Sequence, residues 1–168
     1  MTAEKWVLLV DPAWSPEPSA PDRTHVVGGW PALADGSIGD FEPNPAYEPS
    51  GPDSPADPLD AVLRLLSVGD AEFEQVASVF RQVTTAVALD ATGSPLTAPS
   101  PDGVPCLLVA TAPAHRGRVR TAGWLAVDAK GLAALLSARP GTDLLLNPGA
   151  VGCTRLPADT VRDLASRS

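Results

Sequence analysis

Apolar residues along the chain fall into short runs separated by turn residues, and the character of these runs changes at about residue 57. Before that point they are strand-like. Trp6 to Val10 is five apolar residues closed by Asp11-Pro12, a length that suits a strand. His25 to Pro31 predicts a second strand. An Asp35-Gly36 turn then leads to a third at Gly39-Asp40-Phe41, a hairpin signature in which glycine supplies positive φ without steric cost. Residues 13–22 and 42–58 read as irregular backbone. Prolines at 43, 45, 49, 52, 55 and 58 remove N–H donors and fix φ too often for a regular element. Phe41 and Tyr47 would bury nothing in a free linker, so this segment is read as an ordered arm anchored by its aromatics.

After residue 57 helical spacing appears. Asp57 is an N-cap, Pro58 occupies N1, and Leu59, Val62, Leu63 and Leu66 recur on one face until Gly69. A second helix is predicted from Asp70, with Glu72 and Glu74 near the positive end of its dipole and Phe73, Val76, Ala77 and Phe80 inward. Val83 to Leu89 and Val104 to Thr111 predict two core strands in a hairpin whose long loop is 94–103. Pro105 is tolerated at the start of the second. Trp124 to Val127 predicts another strand, and Asp128 caps a helix carrying Leu132, Leu135 and Leu136. Leu144 to Leu146 predicts a central strand, Asn147-Pro148-Gly149 a turn, and the run to Leu156 a further strand. Asn147 is expected to cap that turn through its side chain. A short helix with Val161, Leu164 and Ala165 on its apolar face ends the pattern.

Composition narrows the function classes. At 168 residues, 44 % hydrophobic and 19 % charged, the chain is globular and long enough for a core. A net charge of −8 argues against a nucleic-acid partner, because phosphate binding depends on clustered Lys and Arg. The basic cluster His115-Arg116-Gly117-Arg118-Val119-Arg120 is either a site for an acidic partner or a solvated loop after Pro113, the commoner state of a short charge run. Cys106 and Cys153, each inside an apolar run, read as buried thiols rather than a disulfide or a nucleophile. No metal-ligand spacing, cofactor motif or nucleophile elbow occurs, so no metal, cofactor or catalytic residue is assigned. The first apolar run is too short for a signal segment or a membrane span, which points to a cytoplasmic protein without membrane insertion. The tryptophans and Tyr47 either pin the arm or form an exposed aromatic patch. Trp14, Trp30 and Tyr47, with Arg116 and Arg118, are the candidate protein-interaction residues.

From about Asp57 onward the chain resembles the N-terminal domain of the SseB family. The resemblance rests on the two leading helices, TTAVALDATGSPL, VPCLLVAT, the helix after Asp128, and above all DLLLNPGAVGCTRLPADTVRDL. The front, with WVLLVDPAWSP, VVGGWP and FEPNPAYEPSGPDSPADPLDAVLRL, looks like a variant found in actinobacterial proteins associated with type VII secretion systems. The resemblance implies a single α+β domain with a mixed, largely antiparallel sheet and helices packed on it. Residues 1–56 would form N-terminal strands and the proline-rich arm, and 57–168 the SseB-like unit. It also implies an accessory role in secretion and carries over no catalytic residue. The expected function is therefore a non-enzymatic, chaperone-like adaptor whose partner is a type VII secretion component or substrate protein. The alternative is an enzyme or small-ligand binder using a cleft between arm and sheet, with His25, Asp35 and Asp40 nearby. A structural subunit, including a homodimer, would instead present a self-complementary apolar face.

Overall fold

The computed structural model describes residues 5–14 and 21–166, and the chain divides into two compact units, 1–79 and 80–168. Among the described residues, five α-helices and nine strands in two sheets give the expected α+β class. The irregular stretch expected at 13–22 falls largely outside the described residues.

In the first unit, β1 (Trp6–Val10), β2 (Val26–Pro31) and β3 (Glu42–Pro43) form an antiparallel sheet in that order. The third strand thus starts after Gly39-Asp40-Phe41, inside the stretch expected to hold no regular element. Phe41 is the reason. Its N–H donates to Ser78 Oγ at 2.8 Å, and its ring fills the space over Gly28, where an added Cβ would lie 2.3 Å from Phe41 Cζ. Phe41 therefore packs into the core, edge-on to Trp30 at 5.0 Å, and pairing with β2 involves Glu42 and Pro43.

The arm is ordered, as its aromatics predict, but buried carboxylates hold it as much as rings do. Asp11 accepts from the Ala13 N–H at 2.9 Å and the Ser50 N–H at 3.0 Å. The Tyr47 hydroxyl donates to the Pro55 carbonyl at 2.9 Å, with Asp11 Oδ2 a longer acceptor at 3.3 Å. Asp60 Oδ2 accepts from the Ala56 N–H at 3.0 Å, and Arg64, which forks onto Asp60, reaches the Asp53 carbonyl with Nη1. Arm positions 50, 53, 55 and 56 are thus tied by side chains, where proline leaves the backbone unable to tie itself.

A pH dependence follows for Asp11. Burial pushes its carboxyl up, but the N–H donors of Ser50 and Ala13 and nearby serine hydroxyls outweigh this and hold it below the ordinary value. A depressed carboxyl stabilises the fold above its unfolded pKa of about 3.9 and stops doing so as pH falls through the lower folded value. Hydrogen-exchange protection of the Ser50 amide should therefore hold at neutral pH and fall below about pH 4. Asp11→Asn should remove that step while lowering protection at neutral pH; an unchanged acid step in the variant would contradict the assignment.

α1 (Pro58–Ser67) begins as predicted, with Asp57 accepting from the Leu59 and Asp60 N–H groups. It ends in a paired cap in which Gly69, at φ +81°, donates to Leu66 and Asp70 donates to Leu65. That cap occupies Asp70, so α2 (Phe73–Gln82) starts three residues later than expected.

The second unit contains β4 (Thr85–Leu89), β5 (Thr97–Pro99), β6 (Pro105–Ala110), α3 (Pro113–Arg116), β7 (Gly123–Val127), α4 (Ala129–Ser137), β8 (Asp143–Leu146), β9 (Thr154–Leu156) and α5 (Ala158–Ser166). Its sheet runs β7-β4-β6-β8-β9, with β5 also on β6, and only the β6/β8 pair is parallel among the described residues. Leu107, Val109, Leu144 and Leu146 are buried in the sheet, as are Leu132, Leu136, Val161 and Leu164 in α4 and α5.

Three expectations change here. The 94–103 loop contains β5, because Ser100 to Gly103 closes a tight turn in which the Gly103 N–H donates to Ser100 O. The basic cluster opens with a short helix whose N1 is Pro113, and His115 is buried. Cys106 is buried as expected, but Cys153 is exposed in the turn before β9.

Candidate protein-binding surface

A sheet edge presents N–H and C=O groups without ladder partners, and folded chains usually blunt such edges with brevity, charge or proline. β3 is two residues long and consists of Glu42 and Pro43. β9 is three residues long and carries Arg155, which bridges Asp143 at 2.7 Å and Asp102 at 2.8 Å. β1 has none of these devices. It is the edge of its sheet, contains no charged residue, and exposes Trp6, Val7 and Leu8 to 37, 41 and 47 %. β7, the other unblunted edge, presents one large exposed apolar residue, Leu125 at 44 %.

The register explains how β1 displays these side chains. Leu8 faces Gly29 across the pair, and a Cβ on Gly29 would lie 3.3 Å from Leu8 Cδ2 and 3.4 Å from Trp6 Cε3. Trp6 and Leu8 thus fold together over a position that has no side chain of its own. Val7 and Leu9 belong to the opposite face, by the alternation of a strand. Leu9 is buried there, while Val7 reaches the rim of an open groove of about 740 Å³.

That groove is lined by Val7, Ser37 and Ile38, by Asp70 and Glu72 from the segment that leads into α2, and by Glu74 in the first turn of that helix. Gln75 Oε1 accepts from the Glu72 N–H at 2.8 Å, so part of the helix start is already capped. The N-terminus of α2 brings roughly half a positive charge, against the carboxylates of Asp70 and Glu72, so the groove is acidic. Among the described residues, no basic side chain lines it.

The residues singled out from sequence are placed differently. Trp30 is 1 % exposed and packs on Phe41, which takes it out of any surface patch. Tyr47 is half-buried and ties the arm. Trp14 is half-buried beside His25, their rings 6.4 Å apart. These three belong to the first unit. Arg116 and Arg118 belong to the second, where Arg116 lies 5.8 Å over the Trp124 ring and Arg118 Nη1 donates to Gly149 O at 3.0 Å. His25 is half-buried at the end of a 3-10 turn. Asp35 accepts from the Ser37 hydroxyl and N–H, which hold its carboxyl below the ordinary range. Neither His25 nor Asp40 lines the groove.

Five consecutive apolar residues mark Trp6 to Val10 as a strand but carry no alternation to say which of them face solvent. Gly29 was the available signal: the strand position across from Leu8 has no side chain to cover it.

Among the described residues, no helix is long and apolar enough to cross a membrane, and no three His, Cys, Asp or Glu side chains gather as a metal site would require. Compared with family models, with curated proteins and with solved structures, the chain matches none.

Proposed function

We propose that the chain is a non-enzymatic accessory of type VII secretion, a cytoplasmic adaptor or chaperone-like module that binds a secretion component or substrate protein through the β1 edge. The observation that carries the binding role is the uncharged edge strand with three consecutive exposed apolar residues, Trp6, Val7 and Leu8. The link to secretion rests on the SseB-like motifs, DLLLNPGAVGCTRLPADTVRDL foremost, and on the WVLLVDPAWSP front.

Affinity purification of the tagged chain from its own cells, read by mass spectrometry, tests both parts. The wild type should co-purify a secretion component or a secreted substrate. Leu8→Asp should lose it, and Leu125→Asp, on the β7 edge, should retain it. Both substitutions are at exposed positions and should change stability by less than about 1 kcal/mol. Equal recovery with Leu8→Asp, or turnover of a metabolite by a chain that recovers no secretion protein, would overturn the proposal.

A further inference from the structure

Resting on the binding role just proposed, the geometry points to the form of the partner: an extended segment, alternating apolar and basic residues, that adds to β1 as a fourth strand. Among the described residues β1 has β2 on one side only, so its other side can take a ladder of main-chain hydrogen bonds.

A strand laid there sends alternate side chains to opposite faces. On one face they meet Trp6 and Leu8, which sit over Gly29 and favour an apolar neighbour. On the other they run past Val7 into the groove that Asp70 and Glu72 also line. Lys and Arg fit that environment, because their stems pack along Val7 and Ile38 while the charged head reaches the carboxylates. An acidic segment would meet the like charges of Asp70 and Glu72 there. A second copy of this chain fits less well. Its β1, WVLLV, carries no cation to place in the groove, and only the flanking Lys5 could supply one.

The test uses the full chain and synthetic peptides of alternating lysine and valine, measured by calorimetry. The parent peptide should bind, and its glutamate–valine counterpart should not. Two N-methylated versions, one methylated at every valine and one at every lysine, block opposite hydrogen-bonding edges of the same strand. One of them should lose binding and the other keep it, because strand addition uses a single edge. Asp70→Asn combined with Glu72→Gln should weaken the parent peptide by roughly three- to tenfold, an effect that shrinks with salt. Equal binding of both methylated peptides would overturn strand addition, as would failure of the parent peptide to bind. So would a dimer in light scattering that Leu8→Asp dissociates, since a second copy would then occupy the edge. If peptides fail while the co-purified partner is still lost with Leu8→Asp, the binding role stands and only the strand-addition mode falls.

Discussion

Asn147→Ala should destabilise the second unit by about 3 kcal/mol, and Asn147→Gly by about 2, in urea denaturation. Asn147 is buried at the end of β8 with φ +50°, a region that disfavours side chains other than the short polar ones. Its Oδ1 accepts from the Thr111 N–H at 2.9 Å, and its Nδ2 donates to Thr111 Oγ1 at 2.9 Å. Its own N–H donates to Val109 O at 2.8 Å. One side chain therefore joins the ends of the two parallel strands, β6 and β8. Removal leaves a buried main-chain donor without that acceptor, a cost of about 1–3 kcal/mol, to which alanine adds the positive φ. Glycine spares the backbone term, so the difference between the two variants isolates it. Losses under 0.5 kcal/mol in both would show that the amide is dispensable.

The second large effect is expected at the Asp60–Arg64 pair in α1. Asp60 is at 0 % side-chain exposure and Arg64 at 19 %, with Nε to Oδ1 at 3.0 Å and Nη2 to Oδ2 at 2.9 Å. Arg64→Ala takes the fork from a carboxylate that water does not reach and also releases the Asp53 carbonyl of the arm. The cost should be about 2–4 kcal/mol. Asp60→Ala should cost less, because the partly exposed guanidinium can turn to solvent, although the Ala56 N–H loses its acceptor. The double variant should be more stable than Arg64→Ala alone. Additive single and double effects would mean that the pair contributes no coupling. Arg64→Lys should not restore the wild type, because an ammonium cannot make two parallel bonds to one carboxylate.

Asn147 also shows where sequence reading reaches and where it stops. The turn at Asn147-Pro148-Gly149 was legible from its residues, and the Ala150 N–H does donate to the Asn147 carbonyl. The side chain, expected to cap that turn, crosses to Thr111 instead. No local pattern announces a contact between residues 36 positions apart. The same division holds elsewhere. Asp57-Pro58 and Asp128 mark helix starts through contacts within three residues, and both act as read. β3 and the start of α2 shift because Phe41 answers to Gly28 and Ser78, and because Gly69 closes α1 through Asp70. Burial was the harder property. Trp30 and Trp6 are alike as letters, and only the register that puts one beside Phe41 and the other over Gly29 separates core from surface. Residue types alone therefore placed the candidate surface on Trp14, Trp30, Tyr47, Arg116 and Arg118. The strand that exposes Trp6, Val7 and Leu8 lies in a run whose residue types announce a strand and leave its exposure open.

Amide hydrogen exchange on the full chain, alone and with the partner it co-purifies, tests the β1 edge most directly. The outward-facing amides of Trp6 to Val10 should exchange quickly in the free chain and become strongly protected in the complex, with the β7 amides unchanged. Protection that appears on β7 or around Arg116 and Arg118 while β1 stays fast would contradict the assignment of β1 as the binding edge.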